Sequence, residues 1–198
     1  PPMKKRALPI LFFTLVLDMV GIGMVIPIIP IIFTDPTSTS FLLTGIDKQY
    51  WYFLAGLATA LFGIVQFFAA PILGELSDVY GRKKLLLLGV SILAISQGIF
   101  ALGVIAKSLS LILISRLIGG LASANFSIAQ ASIADVSTPQ NRAKNFGLIG
   151  AAFGIGFVVG PALSGYLAHF FNSAAAPFWI AGILGIINMI FVYFFLPE

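Results

Sequence analysis

Cysteine is missing from this 198-residue chain, histidine occurs once, and Asp, Glu, Lys and Arg together make up only 9% of it. Each shortage excludes something. Without cysteine there is no disulfide framework, no thiol chemistry and no Cys-based metal site. The sequence holds one histidine, no paired carboxylates within an apolar run and no phosphate-binding glycine loop. No catalytic constellation can be assembled from that inventory, so neither an enzyme, a resident metal nor a cofactor is expected. A soluble domain carries about a quarter charged residues. Here 59% of the residues are hydrophobic and the mean hydropathy is +1.06. A soluble fold of this size cannot hide so much apolar surface, so lipid is the solvent for most of the chain. The pI near 9.5 does not point to nucleic acid. The basic residues form short clusters between apolar runs, which is the pattern of membrane topology.

A spanning helix needs about 20 mostly apolar residues. Six stretches qualify, at about 7–33, 50–73, 85–106, 109–134, 145–168 and 174–196. Backbone groups in lipid must be bonded internally, so these are helices; the ten-residue alternation of a membrane barrel is absent. Lys4, Lys5 and Arg6 ahead of an apolar run suggest a signal peptide at first sight. The run extends to about Phe33, contains Asp18, Pro27 and Pro30, and has no small-residue cleavage site, so a retained span is expected. The ends and loops on one side hold Lys4, Lys5, Arg6, Arg82, Lys83, Lys84, Arg142 and Lys144, against Lys48 and Lys107 on the other. The basic side faces the cytoplasm, which puts both termini there. Tyr50, Trp51, Tyr52 and Trp179 then fall at outer helix ends, where amphipathic rings anchor, and His169 reads as an interfacial histidine. The longest outer loop is 34–49, and the cytoplasmic loops are 74–84 and 135–144.

The chemistry must lie in a few polar groups, found in four places. The first is Gly74-Glu75-Leu76-Ser77-Asp78-Val79-Tyr80-Gly81-Arg82-Lys83-Lys84. Gly74 and Gly81 permit a tight turn and close helix approach, and Asp78 can dock against the positive end of a helix dipole. The basic triplet can meet lipid phosphates or a carboxylate, with Asp135 as a partner for Arg82. A plain positively charged loop is the simpler alternative. The second is Arg116-Leu117-Ile118-Gly119-Gly120-Leu121-Ala122-Ser123-Ala124. A lone arginine in a span costs at least about 2.5–3.5 kcal/mol, so Arg116 is expected to face the bundle interior or a watery cavity unless it snorkels to the outer end. Gly120 shares its face and admits a neighbouring helix. The third is the fifth span, with Gly147, Gly150, Gly154, Gly156, Gly160, Pro161 and Gly165. The pairs Gly150/Gly154 and Gly156/Gly160 predict very close packing, and Gly160-Pro161 is expected to break or bend the helix. The fourth is the first span, where Asp18 lies near mid-membrane, followed by Gly21, Gly23, Pro27 and Pro30. An unpaired carboxylate there is a functional candidate, for taking up and releasing a proton or holding a cationic substrate. The competing reading is a packing aspartate bonded to backbone or to Arg116. Gln66, Gln97, Asn125 and Gln130 also sit in spans, able to line a cavity or to staple helices, and Asn125 is the one nearest mid-membrane on the fourth.

These motifs resemble those of the major facilitator superfamily. The 74–84 segment resembles the signature loop G-x-L-a-D-r-x-G-r-k-x, departing at Val79, where the family carries a basic residue. The resemblance implies that Asp78 and Arg82, with Asp135, latch two bundles at the cytoplasmic side. Arg116 to Gly120 resembles the R-x-x-x-G motif linked with proton-coupled transport, which implies that Arg116 tunes a proton-carrying carboxylate. Gly147, Gly156, Gly160, Pro161, Ser164 and Gly165 resemble the antiporter motif G-x8-G-x3-G-P-x2-G-G, with Ser164 in place of a glycine. The first span resembles that of twelve-helix drug/proton antiporters, and the ensemble is similar to the tetracycline exporters. Those exporters carry an acidic residue in the third span where this chain has Ser96, beside Gln97, which argues against tetracycline itself.

The resemblance implies an all-α integral membrane fold. Residues 1–198 form the amino-terminal six-helix bundle of the major facilitator fold, a 3+3 inverted repeat, with the carboxy-terminal bundle absent from this chain. It implies a proton-coupled antiporter exporting small, drug-like or amphipathic compounds by alternating access, powered by the proton gradient without a cofactor. The expected partners are the substrate, protons, the bilayer, and the missing half or a second copy. A bacterial inner membrane is the expected location. A nutrient or siderophore importer on the same fold, and a non-transporting membrane sensor or assembly protein, remain as alternatives.

Overall fold

The computed structural model describes residues 2–122 and 125–196, with side chains from Ala7 onward. The side chains of Lys4, Lys5 and Arg6, the motif residues Ser123 and Ala124, and the terminal Pro197-Glu198 lie outside the described residues. The helices are α1 (Pro2–Thr34), α2 (Trp51–Tyr80), α3 (Arg82–Ile105), α4 (Leu109–Ala122), α5 (Asn125–Val136), α6 (Arg142–Phe170) and α7 (Ala176–Phe195). Among the described residues six stretches are long and apolar enough to cross a membrane, the fourth being Leu109–Val136, which holds α4 and α5. The protein is a multi-pass, all-α membrane protein.

Three boundaries differ from the sequence reading. The second span does not end near residue 73, since α2 continues to Tyr80 and only Gly81, at φ 100°, separates it from α3. Glu75, Ser77 and Asp78 are polar, but none of them breaks a helix; the first residue that does is glycine. Gly74 therefore lies inside a helix, and a Cβ there would meet nothing within 4 Å. The 135–144 loop shrinks in the same way, because α5 runs to Val136 and α6 begins at Arg142. Finally, Gly160-Pro161 does not break the fifth span, and α1 likewise runs unbroken through Pro9, Pro27 and Pro30. Neighbouring helices in lipid compensate the bonds that proline removes, whereas a broken helix would expose several backbone groups.

The helices pack in a repeating scheme. α1 lies chiefly against α6, α2 against α4, and α3 against α7. Matching the first three spans to the last three exchanges the first two of these contacts and maps the third onto itself, the relation of a 3+3 inverted repeat. Both exchanged contacts are close approaches built on glycine. A Cβ on Gly160 would come within 2.7 Å of the Val20 carbonyl, and one on Gly156 would collide with the Met19 Cβ. From the other side, a Cβ on Gly23 would lie 2.7 Å from the Gly156 carbonyl. Gly23 thus fixes the crossing of α1 with α6. In the equivalent contact, a Cβ on Gly120 would lie 2.7 Å from the Phe62 carbonyl of α2. By contrast Gly147, Gly150, Gly154 and Gly165 have nothing within 4 Å of a built Cβ. The expected packing role of Gly150/Gly154, and of Gly147 and Gly165 in the antiporter pattern, is not exercised within this bundle. Only Gly156 and Gly160 face α1.

Two apolar clusters sandwich a polar level. At one end of the bundle, Phe100 and Phe178 stack at 3.9 Å among Phe33, Ile32 and Ile112. The 34–49 loop is not a solvated linker here: Phe41, Leu42 and Leu43 are buried, Leu42 N–H donates to the Ile32 carbonyl at 2.8 Å, and Trp51 Nε1 donates to Ile46 at 2.9 Å. Asp35 accepts from the backbone and hydroxyl of Thr37, which holds its carboxyl below the usual carboxylate range. At the opposite end Leu11, Leu15, Leu86, Ile128, Ile133 and Val192 form the second cluster. Large exposed rings such as Phe67, Phe68, Tyr193 and Phe194 stand on the outside, where acyl chains solvate them.

Gly156→Ala should lower the thermal unfolding temperature in detergent, by the equivalent of roughly 1–3 kcal/mol of overpacking. Gly154→Ala, two residues away on an open face, should leave it unchanged. Equal effects of the two substitutions would refute the assigned α1–α6 contact.

Candidate functional site

The polar level is centred on Asp18. Its position places the carboxylate about three turns into the first span. There it is enclosed by α3, α5 and α7 and only 7% exposed. Asn125 Nδ2, at the start of α5, donates to Asp18 Oδ2 at 3.5 Å, and Asn188 Nδ2 of α7 donates to Oδ1 at 3.4 Å. Both are long; a firm hydrogen bond to a carboxylate is nearer 2.8 Å. Asp18 also lines a narrow pocket with Gly21, Gln97, Ala94, Ala181 and Gly185. Gly89 makes room for this arrangement, because a Cβ at that position would collide with Asn125 Oδ1.

The hydrogen-bonding inventory around Asp18 is incomplete. Gln97 Oε1, Asn125 Oδ1 and Asn188 Oδ1 are all buried and have no partner. Unsatisfied buried acceptors are uncommon, and three of them belong to the residues gathered at this carboxylate. No ion pair joins Asp18 to Arg116, so the reading of Asp18 as a packing residue bound to that arginine does not hold.

Arg116 is buried in α4, 4% exposed, and does not snorkel outwards. Its guanidinium lies over the Phe100 ring at 4.6 Å and the Phe62 ring at 5.3 Å. The Nε hydrogen has no acceptor, and no described carboxylate lies within ion-pair distance. Ring faces offset part of the lost hydration, but not a full unit of charge. Ser96 is buried too, with its hydroxyl donating to the Leu93 carbonyl at 2.7 Å and its oxygen facing Gly119. It serves the α3–α4 contact; Gln97, the next residue, is the one beside Asp18. Gln66 and Gln130 are half-buried and make no bond to the Asp18 group.

At the α2–α3 turn Arg82 ties three helix ends together. It pairs with Asp78 one turn back in α2, its Nε meets Asp135 Oδ2 of α5 at 3.1 Å, and a terminal nitrogen donates to Ser77 Oγ at 2.6 Å. Asp78 therefore offsets the arginine rather than docking on a helix dipole. The two carboxylates are more than half exposed, so each pair contributes at most about 1 kcal/mol. Val79 is exposed and takes no part in this network. Nearby, Asn145 Nδ2 donates to Ser137 Oγ at 2.8 Å and pins the short α5–α6 connection.

Asn188 was not anticipated from the sequence. The signal was present: a single amide in Gly185-Ile186-Ile187-Asn188-Met189, inside the last and most lipid-like helix, must turn inward to find a partner. His169 is exposed at the end of α6, and no group of three His, Cys, Asp or Glu that could hold a metal occurs among the described residues.

Comparison with known proteins agrees with this architecture. The Major Facilitator Superfamily model matches residues 11–198. Major facilitator superfamily domain-containing protein 10 of Mus musculus is 32% identical over the whole chain, which corresponds to 45% of that protein. The class C tetracycline resistance protein of Escherichia coli is 34% identical over 98% of the chain and 46% of its own length. The quinolone resistance protein NorA of Staphylococcus aureus is 35% identical over 91% of the chain and 42% of its own. The solved structure of the human organic anion transporter MFSD10 (TETRAN) superposes with a TM-score of 0.80 at 31% identity, covering all of this chain and 48% of that one. The chain spans about half the length of the relatives it matches. The glycine crossings, the buried carboxylate, the Arg82 hub and a family match over nearly every residue lead to one conclusion: the chain belongs to the major facilitator superfamily.

Proposed function

We propose that this chain is the amino-terminal bundle of a proton-coupled exporter of small amphipathic compounds, with Asp18 as the group that exchanges a proton. One observation carries the reading. Asp18 is the sole carboxylate buried at mid-span among the described residues, and it has no cationic partner to fix its charge. A carboxylate held only by neutral amides can be neutralised by a proton without breaking an ion pair, and the narrow pocket beside it offers a route for that proton. Alternating access requires a second bundle to rock against the first, so a carboxy-terminal half completes the transporter. Arg82, Asp78 and Asp135 lie at the cytoplasmic rim, where a weak, exposed ion-pair network can open and close with that motion at little cost. Resistance to tetracycline and to quinolones, named for two of the relatives, is consistent with export.

The test is efflux from vesicles under an imposed pH gradient. Uphill efflux should fall to background in Asp18→Asn while substrate counterflow without a gradient persists. Normal gradient-driven efflux by this variant would remove Asp18 from the mechanism, and uphill efflux that survives collapse of the gradient would remove proton coupling.

A second reading concerns the cargo, and Arg116 favours it. A buried guanidinium with an unpaired Nε and two flanking rings is complementary to an organic carboxylate with an apolar body. The structurally similar MFSD10 is described as an organic anion transporter. On this reading Arg116→Gln should raise KM for carboxylate-bearing compounds about tenfold, the worth of one charge-assisted hydrogen bond. KM for their neutral esters should not move. A uniform loss for both would assign Arg116 to the framework instead.

A further inference from the structure

We propose that Asp18, Gln97, Asn125 and Asn188 form a site for a small monovalent cation, sodium being the best match. The inference rests on the reading of Asp18 as the coupling group and adds a second ion that competes for it.

The argument begins with the ligand inventory. One carboxylate and three carboxamides come from four different helices, and each side chain is at least nine-tenths buried. All three amide oxygens lack a partner. Amide nitrogens face the carboxylate at 3.4 and 3.5 Å, at the outer limit of hydrogen bonding. The ionised carboxylate is therefore poorly solvated, although it lies in the interior of the bundle. A half-turn of an asparagine amide exchanges NH2 for oxygen without changing its shape. After that turn, an amide oxygen lies about 3.4–3.5 Å from a carboxylate oxygen at both contacts. Two oxygens that bind one ion at roughly 2.4 Å, with a right angle between them, are separated by about that distance. Magnesium, at about 2.0–2.1 Å, requires a shorter edge.

Charge and size narrow the choice further. A single carboxylate balances one positive charge, and no other carboxylate among the described residues is buried to help hold a divalent ion. The pocket between Asp18, Gln97 and Gly185 is too narrow for an organic ammonium group. A water molecule would satisfy some of the acceptors but brings no charge to offset the carboxylate. A cation seated between Asp18 and a turned asparagine amide meets oxygens of both and neutralises Asp18, with Gln97 on the wall of the same pocket. Apart from the helix ends, the only other charged side chain in the spans is Arg116, which forms no ion pair with Asp18. Proton and sodium would therefore occupy the same carboxylate in turn.

The experiment is binding of radioactive sodium to the intact transporter in lipid nanodiscs at roughly pH 8, where an ordinary carboxylate is ionised. Ionic strength is held constant with choline. The expected result is saturable binding of one ion per chain, displaced by unlabelled sodium and by protons as the pH falls. Asp18→Asn should abolish it. Asn188→Leu and Gln97→Leu should each weaken it about tenfold, the equivalent of one lost ligand. Because Asn188 is enclosed, Gln97→Leu on the pocket wall is the variant to rely on if Asn188→Leu fails to fold. Absence of saturable binding in the unaltered protein, as for a cage holding water only, would overturn the proposal. So would binding that survives Asp18→Asn. Proton-driven efflux without sodium binding would overturn the sodium site and leave the proposed function intact. Sodium binding without proton-driven efflux would do the reverse.

Discussion

A carboxylate inside a lipid-embedded bundle must be enclosed by protein, and much of this structure is arranged around that requirement for Asp18. No water or lipid headgroup is at hand in a hydrocarbon core, so α3, α5 and α7 each supply an amide. Their approach demands the small residues beside them: Gly89 yields to Asn125, and Gly185 of α7 lies against Ala94 of α3. The apolar clusters above and below close the level off along the membrane normal. What results is a cage of neutral amides around one carboxyl group, held by long contacts and with three acceptors unpartnered.

The same physics explains the scaffold. Helices in lipid gain nothing from burying apolar surface against one another, so close backbone contact has to hold them. Gly156 and Gly160 give that contact between α6 and α1, and Gly120 gives it between α4 and α2. These are equivalent contacts under the inverted repeat, which is why the two halves of the bundle share a packing rule while their sequences differ. Asp18 rides on one of the four helices so anchored, and Arg116 on another. Each half of the repeat therefore contributes one buried charge, carried on a helix fixed by glycine, and the two charges remain unpaired.

Much of this was legible in the sequence, for a specific reason. Asp18 and Arg116 stood out because a charge within an apolar run is so costly that it must turn inward. Arg82 and Asp135 could be matched because both fall at helix ends on the side richer in basic residues. What stayed hidden depends on rotation about a helix axis, which spacing does not reveal. Gly150/Gly154 and Gly156/Gly160 share the same four-residue interval, yet only the second pair faces α1. Ser96 and Gln97 are neighbours, and only Gln97 reaches the Asp18 pocket. Asn188 was lost among the apolar residues of α7, and the Phe41-Leu42-Leu43 plug was masked by the polar residues on either side of it. The helical run from Gly74 to Tyr80 was hidden by its polar composition, because polarity reports the end of the membrane and not the end of the helix.

The most direct measurement is of protons released when substrate binds to the intact transporter in weakly buffered detergent solution near neutral pH. Exchange at Asp18 predicts about one proton released per transporter, and none from Asp18→Asn that still binds substrate. Equal release from both proteins would place the exchanging group elsewhere and contradict the central role assigned to Asp18.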